Sequence, residues 1–140
     1  MKFLSKSQTL KKLRLKRSTI PQLIIFNCNQ YLKNKIKILL IIQKKFPNSK
    51  IAVRSSFNNE DTAKSSNAGK YKSFLNIETK NLESIQRSID DVINSKKKIF
   101  KGESFFVQKM VDNVSFSGVV LTKNLEDYSQ CININYFNGK

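Results

Sequence analysis

Histidine is missing from the 140-residue sequence altogether, and so is tryptophan. Without histidine there is no imidazole general base, no mixed Cys/His zinc site and no phosphohistidine within the chain. Cysteine is scarce: Cys28 and Cys131 lie far apart and form no CxxC pair, so two buried free thiols in a reducing cytoplasm are expected. The longest uninterrupted apolar run, Ile38 to Ile42, is far short of a membrane span. The start, MKFLSKSQTLKK, lacks the apolar stretch of a signal peptide, and the chain is expected to be cytoplasmic with no membrane partner. Neither a Walker A spacing nor a GxGxxG fingerprint occurs, which disfavours both of those nucleotide folds. There is no internal repeat and no low-complexity tract.

What is present is enough for one domain with its own core. Hydrophobic residues make up 39% and charged residues 26%, and 10 Phe and 4 Tyr supply the bulk a core needs. The formal net charge is +16. Such a charge is a reason to consider nucleic acid as a partner. The lysines, however, are scattered from end to end among Asn and Ile. A nucleic-acid module would show arginine-rich stripes interleaved with exposed aromatics, so nucleic acid is disfavoured. The densest basic run, Lys11 to Arg17, reads as a solvated helix face.

Ser5 and Gln8 have capping-box spacing, and a short helix is expected from Ser5 to about Lys16, with Leu10 and Leu13 on one face. Leu23 to Phe26 reads as a buried strand. Gln30 to Phe46 reads as one amphipathic helix, with Tyr31, Leu32, Ile36, Leu39, Leu40 and Phe46 near a 3.6-residue period and Pro47-Asn48 ending it. Ile51 to Arg54 is a short strand, and Ser55 to Lys70 is polar and loop-like. Tyr71 to Ile77 alternates as a strand. A second amphipathic helix is expected over about Leu82 to Lys96, burying Leu82, Ile85, Ile89, Val92 and Ile93 while Glu83, Asp90 and Asp91 face away. Phe105 to Val111, Ser117 to Leu121 and Cys131 to Tyr136 complete an α+β pattern. With no closing element after the last strand, the chain is expected to be part of something longer.

A phosphate site needs fixed positive charge, approachable backbone N–H groups and a small residue that permits the approach. Arg54 ends the apolar strand Ile51-Ala52-Val53, where a rigid element would aim its planar fork at two phosphate oxygens. Ser55 and Ser56 add hydroxyls, and Ala68-Gly69-Lys70 precedes the next strand. On spacing alone a second reading stands beside this one, in which Arg54 bridges Glu60 or Asp61 and ties down the loop.

Taken together and in order, these segments resemble the pyruvate phosphate dikinase and phosphoenolpyruvate synthase family. The matching residues are Val53-Arg54-Ser55-Ser56, Glu60-Asp61, Ser66, Ala68-Gly69 and Leu75-Asn76. Val107-Gln108-Lys109-Met110-Val111 is similar to the family's VQ-x-M strand, which lines the adenine pocket. Ser117-Gly118-Val119 to Thr122 is similar to its SGV-x-x-T strand, and Lys6 to Leu10 to its K-x-x-T-L helix start. The resemblance spans nearly the whole of residues 1–140.

It implies an ATP-grasp-like nucleotide-binding domain, incomplete at the C-terminus, that binds ATP with Mg2+. By that resemblance Lys6 and Arg54 neutralise the phosphates. Gly69, Lys70 and Ser73 belong to a glycine loop covering them, and Gln108, Met110 and Val111 flank the adenine. In the full protein the phosphoryl group would pass to a histidine on another domain, and this chain alone would turn nothing over. The sequence departs from the family at Lys123 to Asp127, where an acidic residue and a T-G turn are usual, and at Lys70, where many relatives are neutral. The family's metal ligands and its phosphohistidine and acceptor domains have no counterpart here. The alternatives are a basic, non-catalytic module binding nucleic acid or acidic partners, and an inactive truncated remnant.

Overall fold

The apolar run at Ile51 becomes an inner strand of a four-stranded antiparallel sheet in the computed structural model, which describes residues 5–13, 19–57, 61–62, 65–66, 72–96, 98–100, 102–124, 126–127 and 129–139. The chain forms two compact units, Met1–Met110 and Val111–Lys140. In the first, the elements are α1 (Lys6–Lys12), β1 (Leu23–Asn27), α2 (Cys28–Lys33), α3 (Lys35–Lys45), β2 (Lys50–Ser56), β3 (Asp61–Thr62), β4 (Ser65–Ser66), β5 (Ser73–Glu78), α4 (Leu82–Asn94) and β6 (Ser104–Lys109). The second holds β7 (Phe116–Leu121) and β8 (Asn133–Asn138). The α+β expectation is met, and no helix among the described residues is long and apolar enough to cross a membrane.

The main sheet runs in the order β1-β6-β2-β5. Residues paired across antiparallel strands share a face, and residues two apart along a strand share it too. One face therefore carries Phe26, Phe105, Val107, Ile51, Val53 and Ile77, all buried in one cluster with Ile38, Leu39 and Ile42 of α3 and Ile85, Ile89, Val92 and Ile93 of α4. Phe105 stacks on Phe26 at 5.6 Å between ring centroids and meets Tyr31 edge-on at 5.5 Å, a preferred aromatic geometry. β1 is half-buried rather than buried, because it lies at the sheet edge.

The long helix expected from Gln30 to Phe46 is two helices. Asn27 caps the first with its side chain, accepting from the Gln30 N–H at 3.2 Å. Asn34, at φ −138° and ψ 46°, then breaks the helical path. Asparagine tolerates such a break because its side chain competes for nearby backbone groups. The break resets the phase: Tyr31, Leu39 and Phe46 are buried as expected, joined by Ile38 and Ile42, but Leu32, Ile36 and Leu40 are exposed. On α4 the expected apolar face holds, with Asn81 Oδ1 accepting from the Ser84 N–H at 2.9 Å. Asp90 does not face away; it accepts from Lys35 Nζ at 2.9 Å and ties α4 to α3.

β5 also departs from simple alternation. Ile51 pairs with Ile77 and Val53 with Phe74, so β5 carries one extra residue against β2. Asn76 sits there at φ 59°, a left-handed conformation that asparagine adopts more readily than most residues. Phe74 and Ile77 both reach the core side because of this bulge, and Ser73 is left on the opposite face with Arg54.

In the second unit β7 and β8 form a regular antiparallel hairpin with Gly118 opposite Tyr136. A Cβ on Gly118 would stand 2.3 Å from the Asn135 carbonyl oxygen, so the glycine is required by close approach of the two backbones.

Candidate nucleotide-binding face

The second face of the main sheet is built from the alternate residues of the same strands. Register places Arg54 of β2 directly between Ser73 of β5 and Phe106 of β6. One pair further along, Ala52 lies opposite Gln108, which in turn pairs with Leu23 of β1. In the other direction Ser56 lies opposite Ser104, which pairs with Asn27. Directly opposed side chains in such a sheet are about 4.5–5.5 Å apart at Cβ, and diagonal ones about 7–8 Å. Arg54 thus has Ser73 as an immediate neighbour and Gln108 on the diagonal. Arg54 and Ser73 are exposed and Gln108 is half-exposed, whereas Phe106 and Ala52 between them are buried.

The terminus of β2 separates the two serines of the VRSS run. Ser55 falls on the core side, 2% exposed, so it does not stand beside Arg54 as expected. Ser56 is on the Arg54 face but is already engaged: its Oγ accepts from the Ser7 N–H at 2.9 Å and donates to Ser7 Oγ at 2.7 Å. Ser104 Oγ donates to the Ser56 carbonyl oxygen at 3.1 Å and lies 3.5 Å from Ser7 Oγ. Ser5 Oγ is 3.3 Å from Ser7 Oγ. The expected capping pair is visible in the Ser5 N–H, which donates to Gln8 Oε1 at 3.1 Å. The first turn of α1, with Lys6 exposed at its start, is therefore fixed at the end of β2.

Of the other expected site residues, Met110 follows β6 directly, half-buried, with its N–H donating to the Lys50 carbonyl at 2.9 Å. Val111 opens the second unit and is 59% exposed. Gly69 and Lys70 lie outside the described residues, as does the Glu60 partner weighed for Arg54 and the side chain of Asp61. Among the described residues no three acidic, cysteine or histidine side chains gather as metal ligands. Two grooves, one along α3 lined by Ile36, Leu40 and Ile41 and one between β1 and α3, involve none of the expected site residues.

A model of the pyruvate phosphate dikinase AMP/ATP-binding domain family matches residues 4–139. The chain belongs to that family. The match covers α1, the main sheet and the second unit alike, and so the whole run of motifs from Lys6 to Thr122. No curated protein and no solved structure matches the chain. Membership in an AMP/ATP-binding family gives the chain its ligand class, an adenine nucleotide.

What the sequence missed here is the sharing of one face by residues far apart in the chain. The signal for part of it was available: residues two apart on a strand share a face, so Arg54 and Ser56, not Ser55, belong together. That Ser7 and Ser104 meet Ser56 depends on the order β6-β2, which no local pattern encodes.

Buried ionisable groups lie on the opposite side of the sheet. Burial, with the Glu103 carboxylate adding and Lys96 opposing, pushes the Cys28 thiol up to about 12. Burial and the Asp90 carboxylate likewise raise the Tyr31 hydroxyl. Both belong to the core and neither faces Arg54. Of the two cysteines expected to be buried, only Cys28 is; Cys131 is exposed.

Proposed function

We propose that the chain binds ATP across the second face of the main sheet, as the nucleotide-binding part of a phosphotransferase. Arg54 and Lys6 neutralise the phosphates, Ser73 of β5 adds a hydroxyl beside Arg54 in place of the loop position expected for it, and Gly69 and Lys70 belong to the glycine loop. Gln108, Met110 and Val111 flank the adenine, partly through backbone groups. The observation that carries this reading is the register placing exposed Arg54 between Ser73 and the strand that bears Gln108. A cation held on a rigid strand next to a hydroxyl is suited to phosphate oxygens, and positioning with charge neutralisation is most of what phosphoryl transfer asks of such residues. Mg2+ accompanies the nucleotide, and the phosphoryl group is passed on to a histidine, a residue type that residues 1–140 do not contain.

Calorimetric titration of the chain with ATP and magnesium tests this. Binding weakened about 10–100-fold by Arg54→Ala, the scale of one charge-assisted contact, is the expected result. No heat with ATP, or an Arg54→Ala variant indistinguishable from the parent, would overturn it. The formal charge of +16 supports a second reading, a basic module for polyanions. That reading predicts steep salt dependence of binding to random oligonucleotides and no competition by ATP.

A further inference from the structure

The seven-residue helix α1 has Ser7 as its buried residue, so it lacks the apolar stripe that normally holds a helix to a sheet. A cluster of hydroxyls holds it instead. Ser7 is the second residue of the helix, where the backbone N–H has no partner within the helix. Its partner is Ser56 Oγ, on a strand 49 residues later, at 2.9 Å. Ser56 thus serves as a long-range cap, and its own hydroxyl hydrogen returns to Ser7 Oγ at 2.7 Å. Ser104 steadies the carbonyl of Ser56 from the neighbouring strand. Ser7 and Ser56 are 1% and 0% exposed, so both hydroxyls are shielded from bulk water and take their partners from the protein.

We infer that Ser7, Ser56 and Ser104 are positioning residues for the nucleotide site: they pin the first turn of α1 to β2 so that Lys6 is held on the same sheet face as Arg54. The inference rests on the reading of Lys6 and Arg54 as phosphate ligands. Lys6 adjoins Ser7 in the chain. Arg54 precedes Ser56 by two residues, roughly 7 Å along the strand. The Ser7–Ser56 pair therefore sets the spacing of two cations contributed by sequence segments far apart. A lysine on a detached α1 would sample many positions and give up the advantage of a preset site.

Hydrogen exchange and ATP titration on the 140-residue chain test this, using Ser56→Ala, Lys6→Ala and the double variant. Ser56→Ala should lower amide protection across Lys6–Lys12 at least about tenfold while leaving α4 protected, the signature of local opening. It should weaken ATP binding, and in the Lys6→Ala background it should weaken it no further. Unchanged protection of α1, or additive losses in the double variant, overturns the inference even if ATP binds. If the parent chain binds no ATP, the functional reading falls, and the positioning role falls with it while the exchange result still reports on the anchor. Should Ser56→Ala fail to fold, Ser7→Ala takes its place: it keeps the Ser7 N–H bond and loses the hydroxyl contacts, so a smaller loss of α1 protection and of ATP binding is expected, again no larger in the Lys6→Ala background, and unchanged protection overturns the inference.

Discussion

Glu103 and Lys96 form an ion pair at the entrance to β6, with side chains 2% and 10% exposed. Replacing Glu103 by leucine strands the ammonium of Lys96 in a dry pocket. Breaking such a buried pair from one side costs about 3–5 kcal/mol. Part of the charge would stay compensated, because Lys96 Nζ lies 4.9 Å from the ring centroid of Phe57 and 5.7 Å from that of Phe100. Each such contact contributes about 0.5–2 kcal/mol. The net loss expected for Glu103→Leu is therefore about 2–4 kcal/mol. For a unit of this size that corresponds to a fall in Tm of about 8–20 °C. Urea unfolding followed by circular dichroism measures it. The double variant Glu103→Leu/Lys96→Met has no buried charge left and should return to within about 1–2 kcal/mol of the parent. A loss below about 0.5 kcal/mol for Glu103→Leu, or a double variant as damaged as the sum of the singles, would refute the reasoning.

Four further outcomes follow from single features. Asn76 sits at φ 59° in the β5 bulge, so Asn76→Gly should be neutral and Asn76→Val should lose about 1–3 kcal/mol by urea unfolding; equal stability would show the bulge unstrained. Native protein at pH 8 should consume thiol reagent at exposed Cys131 and not at Cys28, with the second equivalent appearing only in denaturant. Because burial raises the Cys28 thiol from 9.0 to about 12, its contribution to stability is complete below pH 9 and is lost as pH climbs towards 12; Cys28→Ala should flatten that alkaline decline, and an unaltered slope would count against it. Gly118→Ala should splay the β7–β8 hairpin, seen as loss of amide protection at Val119 and Asn135, since the added methyl meets backbone at 2.3 Å.

Much of the fold was legible because its signals are local. The α4 stripe, the strand at Ile51 and the capping pair Ser5/Gln8 all follow from spacing. The break at Asn34 was not, because a helix-compatible pattern runs straight through it and one asparagine turns the buried face of α3 from Ile36 and Leu40 towards Ile38 and Ile42. The bulge at Asn76 was missed for a similar reason: strict alternation put Ser73 and Ile77 on one face, and one inserted residue separates them. In the candidate site, Arg54 at the end of an apolar strand was readable from sequence, and the ordered motifs pointed to the family that the match over residues 4–139 establishes. The sharing of one face by Arg54, Ser73 and Gln108 was not readable, since it needs β2 set between β5 and β6. The Gly69-Lys70 segment lies outside the described residues.

The claim that an adenine nucleotide lies on the second face of the sheet is tested most directly by amide chemical-shift mapping during an ATP titration. The account predicts the largest shifts at Ala52, Arg54, Ser56, Ser73 and Gln108, and at Lys6 and Ser7 of α1, with Ile85 to Ile93 of α4 unmoved. Largest shifts along the exposed α3 stripe of Ile36, Leu40 and Ile41 would contradict it.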